Sequence, residues 1–229
     1  MTRYPTFTFK GQNSNDFGLL VRKLPVMAAP EARFTETVIP GRDGFLTVMD
    51  GGFAGDDVKI ECVMRDPARR FDIMGWLTGS GDLISSEMPT YRRKARVSAR
   101  IEPLRMRSGE STFVVSFRCQ PFLYEATPSV VSLTATGSIS NIGAYKSLPK
   151  LDVYGAGTVT IGGVTLTVTA TGGEAYVTID SEMQECYFNT ASRNGKVSGG
   201  FPTLQVGQST VTLGAGITRV DITGNWRWY

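Results

Sequence analysis

The chain contains no histidine, which removes Ser-His-Asp and Cys-His catalysis, imidazole metal ligation and the commonest general base together. Acid-base work would then fall to paired carboxylates of the glycosidase type, for which Asp56-Asp57 and the group Asp180, Glu182 and Glu185 are the candidates. Adjacent residues of a strand point to opposite faces, so Asp56 and Asp57 do not converge on one bond and read as a charged turn before a strand. Asp180 and Glu182 can share a face and offer oxygen ligands to Ca²⁺, but their spacing matches no calcium-loop motif. Cys62, Cys119 and Cys186 are odd in number and far apart, suggesting neither a disulfide framework nor a Cys-x-x-Cys metal site. Cys62 and Cys119 fall on apolar faces of predicted strands, where a thiol packs as a small hydrophobe, in keeping with folding in a reducing cytoplasm. The residues therefore lead us to expect no enzyme, no catalytic residue, no metal and no cofactor.

Three features could bind rather than react. Pro40-Gly41-Arg42-Asp43-Gly44 is a tight turn, with two glycines that reach positive φ bracketing an Arg-Asp pair. Arg92, Arg93, Lys94, Arg96 and Arg100, continued by Arg105 and Arg107, form the strongest electrostatic feature. Such a cluster could meet phosphates, but stacking aromatics are not interleaved after Tyr91, which favours a solvated or subunit-contacting strand face over nucleic acid. Trp226, Trp228 and Tyr229 could form a sugar platform on a sandwich face, against the alternative that a terminal Trp-x-Trp seals a core.

The elements that must carry these residues are mostly strands. Phe7-Thr8-Phe9 and Phe17 to Val21 read as a hairpin or a strand with its return, and Phe34 to Ile39 leads into the turn at Gly41 to Gly44. Val58, Ile60, Cys62 and Met64 alternate with Lys59, Glu61, Val63 and Arg65, the period of a half-buried strand. Asp66-Pro67 is a helix start, and Phe71, Met74 and Leu77, with Ile73 and Trp76, predict the one substantial helix near 67–79, closed by Gly79 and Gly81. Strands resume at Asp82 to Ser85 and Tyr91 to Ile101. The latter is expected to pair antiparallel with a strand whose apolar face is Phe113, Val115, Phe117 and Cys119, after a Ser108-Gly109 loop. Pro121-Phe122 is expected to close that unit.

From Pro128 to Leu148 the residues are small and polar, which places a domain boundary near residue 130. Seven short strands then follow, at Leu151 to Tyr154, Val159 to Ile161, Val164 to Val168, Tyr176 to Ile179, Cys186 to Asn189, Val211 to Leu213 and Thr218 to Tyr229. Gly162-Gly163 reads as a hairpin turn, and the spacing implies a β-sandwich. A hydrophobic share of 41% argues against disorder, and 229 residues suffice for two small β domains. Charge is uneven: residues 1–125 carry 18 Lys/Arg and 15 Asp/Glu, and residues 126–229 carry 6 of each. No signal-like segment opens the chain, and no apolar run approaches the roughly 18 residues of a membrane span, so no membrane partner is expected.

Taken in order, these blocks resemble the distal tail protein family of long-tailed siphophages, the phage tail or siphovirus tail component family. The resemblance is carried by Phe9-Lys10-Gly11 through Asp16-Phe17-Gly18-Leu19, by Ile39 to Gly44, by Leu77 to Leu83 and by Val115 to Tyr124. It continues through Asn141-Ile142-Gly143, Ser147 to Leu151, Ile179 to Glu182 and Gly200 to Leu204, so it runs nearly end to end. It implies a mainly β fold of two domains: a sandwich-like, ring-forming domain with one helix over 1–130, and a galectin-like β-sandwich over 131–229. It also implies a structural subunit of the virion, made in the host cytoplasm and placed at the tail tip. There a hexameric ring joins the tail tube protein to the tail-tip hub or fibre protein and carries receptor-binding proteins at its rim. Gly41, Arg42, Asp43, Gly44, Arg92, Arg93, Arg96 and Arg100 are the expected ring or partner contacts.

Overall fold

The computed structural model describes residues 4–25, 28–106, 109–169 and 173–229, so Arg107 and Ser108 lie outside the described residues. The chain is mainly β and divides into two compact units, one running to Ala126 and including Tyr229, the other Thr127–Trp228.

In the first unit the strands are β1 (Phe7–Phe9), β2 (Leu19–Lys23), β3 (Ala32–Val38), β4 (Phe45–Phe53), β5 (Asp56–Met64), β6 (Ser80–Ser85), β7 (Tyr91–Val97) and β8 (Ser111–Glu125). The main sheet has the order Gln12–Asn13, β1, β6, β7, β8, β5, β2, with the short strand Leu104–Arg105 also on β8. The predicted alternation fixes its buried face: Val58, Ile60, Cys62 and Met64 of β5 meet Phe113, Val115, Phe117 and Cys119 of β8 in one core.

The helix α1 is shorter than 67–79, covering Arg70–Trp76 after a 3₁₀ turn at Pro67–Arg69 that the Asp66 carboxylate caps by accepting from the Ala68 N–H at 2.9 Å. Its buried stripe is Ile73, Trp76 and Leu77, while Phe71, expected in the stripe, is 82% exposed. The indole of Trp76 decides this orientation. It lies stacked between Phe7 and Phe17, at 5.4 and 4.4 Å, and donates to the Phe9 carbonyl at 2.9 Å.

Pro121 does not end the strand as expected. β8 continues to Glu125 because its register against β7 shifts between Cys119 and Leu123, a bulge that takes the proline out of the ladder.

The second unit contains β9 (Val130–Leu133), β10 (Gly137–Asn141), β11 (Lys150–Gly155), β12 (Gly157–Ile161), β13 (Val164–Val168), β14 (Val177–Asp180), β15 (Glu185–Phe188), β16 (Gly207–Leu213) and β17 (Ile217–Thr223). One sheet runs β9, β17, β11, β14, β15 and Ala191–Ser192; the other runs β10, β16, β12, β13 and Val197–Ser198. Their inward residues, among them Leu151, Val153, Ile179 and Ile222 from one sheet and Val159, Ile161, Leu166 and Val211 from the other, form one core. All seven expected strands are present. The segment Pro128 to Leu148, read as a polar junction, supplies two more: β9 pairs with β17 and β10 with β16. These are edge strands, so Ser and Thr at alternate positions suffice for their solvent side and mask the pattern. β17 stops at Thr223, before the expected Tyr229, and Asn225 turns the chain with φ 48°.

All three cysteines are buried, and burial pushes the thiols up, Cys62 to about 12 and Cys119 and Cys186 to about 11. Iodoacetamide at pH 8 is therefore expected to leave the native chain unlabelled and to modify all three positions in urea. Native labelling at the rate of a free thiol would contradict this packing.

Candidate assembly surface

β3 and β4 pair only with each other among the described residues, making a two-stranded arm outside the main sheet. Register sets its two faces. Phe34 opposite Met49 and Val38 opposite Phe45 lie on one face, and Thr35 opposite Val48 and Thr37 opposite Leu46 lie on the other. Val38 is 75% exposed and Met49 68%, and Phe34, Phe45, Leu46 and Val48 are exposed with them. An isolated ribbon of two strands is marginal in water, and apolar side chains on both faces with open edges are the mark of a surface meant to be covered. Covering each large apolar side chain contributes about 1.5–3 kcal/mol.

Gly41, Arg42, Asp43 and Gly44 form the tip of this arm. Gly41 and Gly44 adopt φ 80° and 79°, and the Arg42 N–H closes the turn on the Ile39 carbonyl at 3.2 Å. The sequence reading located the tip and missed the return strand and its apolar side chains. The available signal was Phe45-Leu46 and Val48-Met49, adjacent apolar pairs that put hydrophobes on both sides of one strand.

The four arginines expected to act with this turn sit on or just beyond β7, in the main sheet's part of the chain, and have separate environments. Arg93 is 1% exposed and faces the core. Its Nε donates to the Gln120 carbonyl in the β8 bulge at 2.8 Å, and its Nη1 lies 3.0 Å from Asp56 Oδ1. It is thus an internal clamp, and a partner cannot reach it. Arg92 pairs with Asp82 at 2.9 Å, donates to the Glu125 carbonyl at 3.0 Å and lies over the Tyr124 ring. Arg96 is exposed opposite Arg118 on β8, and Arg100 lies near Glu102 with both side chains exposed. Asp56 and Asp57, on opposite faces of β5, serve separate ion pairs, Asp57 with Arg118 at 3.2 Å.

Two other candidates dissolve in the geometry. Asp180 Oδ1 accepts from the N–H groups of Glu182 and Met183 at 2.9 and 3.0 Å, closing a turn, and no group of three or more His, Cys, Asp or Glu side chains suited to a metal occurs among the described residues. Trp226 is 4% exposed within the core of the second unit, Trp228 is half-buried against that core, and Tyr229 packs with Phe53 and Phe122 of the first unit. Trp226, sealed in that core, therefore offers no ring face to a sugar.

The described architecture comprises two β units, the first of which carries a solvent-exposed apolar arm. No protein-family model and no curated protein sequence matches the chain. Among solved structures it is similar to the SPP1 Dit protein, described as a paradigm of the hub adsorption apparatus in phages that infect Gram-positive bacteria. The TM-score is 0.69 at 12% sequence identity, covering 97% of this chain and 99% of that one. The two chains share a fold along nearly their whole length, and it is the fold that the sequence resemblance implied.

Replacing Arg93 with Met would leave the Gln120 carbonyl and the Asp56 carboxylate without their cation, and is expected to lower stability by about 3 kcal/mol in urea titrations. Arg96→Ala is expected to stay within about 0.5 kcal/mol of the parent, because Arg96 is exposed. Equal losses at both positions would contradict the assignment.

Proposed function

We propose that this protein is a structural subunit of a long-tailed phage tail tip, acting by contact without turnover. Its first unit assembles into a closed hexameric ring that joins the tail tube protein to the tail-tip hub or fibre protein, and receptor-binding proteins attach around it. The protein is made in the host cytoplasm and resides in the virion. The observation that carries this reading is the arm from Ala32 to Phe53, whose apolar faces and open edges suit a neighbouring copy. Closed assembly needs a heterologous contact, in which the arm of one copy meets a different surface of the next. The shared fold with a phage hub adsorption protein supports the setting, and the charged tip residues Arg42 and Asp43 are placed to add register once the apolar contact forms.

Light scattering of the purified chain, alone and mixed with the neighbouring tail proteins, is expected to show a closed species of sixfold the 24.9 kDa chain mass. Val38→Ser with Phe45→Ser should leave the melting temperature of the chain nearly unchanged and yield monomers. A parent chain that stays monomeric in both conditions, or a variant that assembles as well as the parent, would overturn the proposal.

A further inference from the structure

One face of the arm sets a condition on whatever covers it. Phe34, Glu36 and Val38 alternate onto that face of β3, opposite Met49, Thr47 and Phe45 of β4. Glu36 is exposed and stands midway between the two apolar pairs, about 7 Å from each along the strand. The residue across from it is a threonine, so the arm itself supplies no cation in register with this carboxylate. A purely apolar surface that buried this face would strand the carboxylate without water or counter-charge, and so would oppose association. The matching surface must therefore hold a cation one strand step from an apolar patch.

The outer face of the main sheet has that composition. Along β8 the outward side chains run Val114, Ser116, Arg118, the same two-residue step as Phe34, Glu36, Val38 on the arm. At the Val114 end, exposed Leu104 pairs opposite Thr112 and lies diagonal to Val114 on the same face, so the two form an apolar patch. In the middle, Ser116 is small and has exposed Lys59 of β5 opposite it. At the far end Asp57 holds Arg118 at 3.2 Å, while exposed Arg96 of β7 stands between Ser80 and Arg118. A like charge directly opposite is unfavourable, and an aromatic ring laid over a guanidinium offsets that cost. Glu61, beside Val114, faces Lys23 across the sheet, which leaves Lys59 and Arg96 as the surplus charges.

We infer that this sheet face receives the arm of a second copy of the chain, with Glu36 seated at Lys59. One phenylalanine end of the arm then covers Leu104 and Val114, and the other lies over Arg96. The inference rests on the ring reading above and names the surface that reading leaves open. Charge selects the occupant: an apolar face with a single central carboxylate meets a patch whose surplus charge is positive. The arm and the sheet face are different surfaces of one chain, so the contact is heterologous, as a closed ring requires.

Complementary charge reversal in the full chain tests this. Glu36→Lys and Lys59→Glu, each alone, should raise the concentration needed for assembly about thirtyfold in light scattering, as for one covered ion pair broken. An equimolar mixture of the two variants should assemble like the parent, because in an alternating ring each reversed arm meets a reversed face and each native arm a native face. Melting temperatures close to the parent's show that both variants fold. Independently of the variants, a zero-length carbodiimide applied to a mixture of ¹⁵N-labelled and unlabelled parent chains should join Glu36 of one chain to Lys59 of another. A parent that assembles while the mixture of folded variants does not, or whose Glu36 is joined only to other lysines, would overturn this inference and leave the ring standing. A parent that stays monomeric would overturn both.

Discussion

Water is a poor surrounding for the ribbon between Ala32 and Phe53. Large apolar side chains occupy both of its faces, and among the described residues neither of its edges pairs with a further strand. A helix with one apolar stripe can turn that stripe onto its own core, as α1 does with Ile73, Trp76 and Leu77. A two-stranded arm with hydrophobes on both sides has no such solution within one chain. The free energy that would come from covering Phe34, Val38, Phe45, Leu46, Val48 and Met49 is therefore available to association. The proposed role in assembly follows from that imbalance.

The root of the arm is tied into the main sheet. β4 ends at Phe53 and β5 begins at Asp56, whose carboxylate holds the buried Arg93. Arg93 in turn occupies the β8 bulge through the Gln120 carbonyl. Gly55, between the two strands, passes so close to the Cys119 carbonyl that a Cβ there would collide with it. A buried guanidinium is costly to desolvate, and here each of its bonds ties the start of β5 to the irregular stretch of β8. The clamp ties the arm's point of departure to the main sheet, which suits the proposed closed assembly.

Much of this was legible in the sequence where one face of an element is buried and the other is wet. Val58 to Met64, Phe113 to Cys119 and the seven short strands of the second unit announce themselves by alternation, and the Gly41 to Gly44 tip by its turn residues. Arg93 was hidden because a basic cluster reads as surface, and only the β8 bulge supplies the acceptor that draws one of its members inward. β9 and β10 were hidden because edge strands need little hydrophobicity. Residue type at Trp226 and Trp228 left a platform and a core seal both open; Gly224 leaves room for the Trp226 ring to fold back, and the core takes it.

The most direct measurement of the central claim is hydrogen exchange of the β3 and β4 amides that point away from the partner strand, followed as protein concentration carries the chain from monomer to assembly. Exchange close to the unprotected rate in the monomer and slowing of orders of magnitude in the assembly is the predicted result. Equal exchange in the two states would contradict the account.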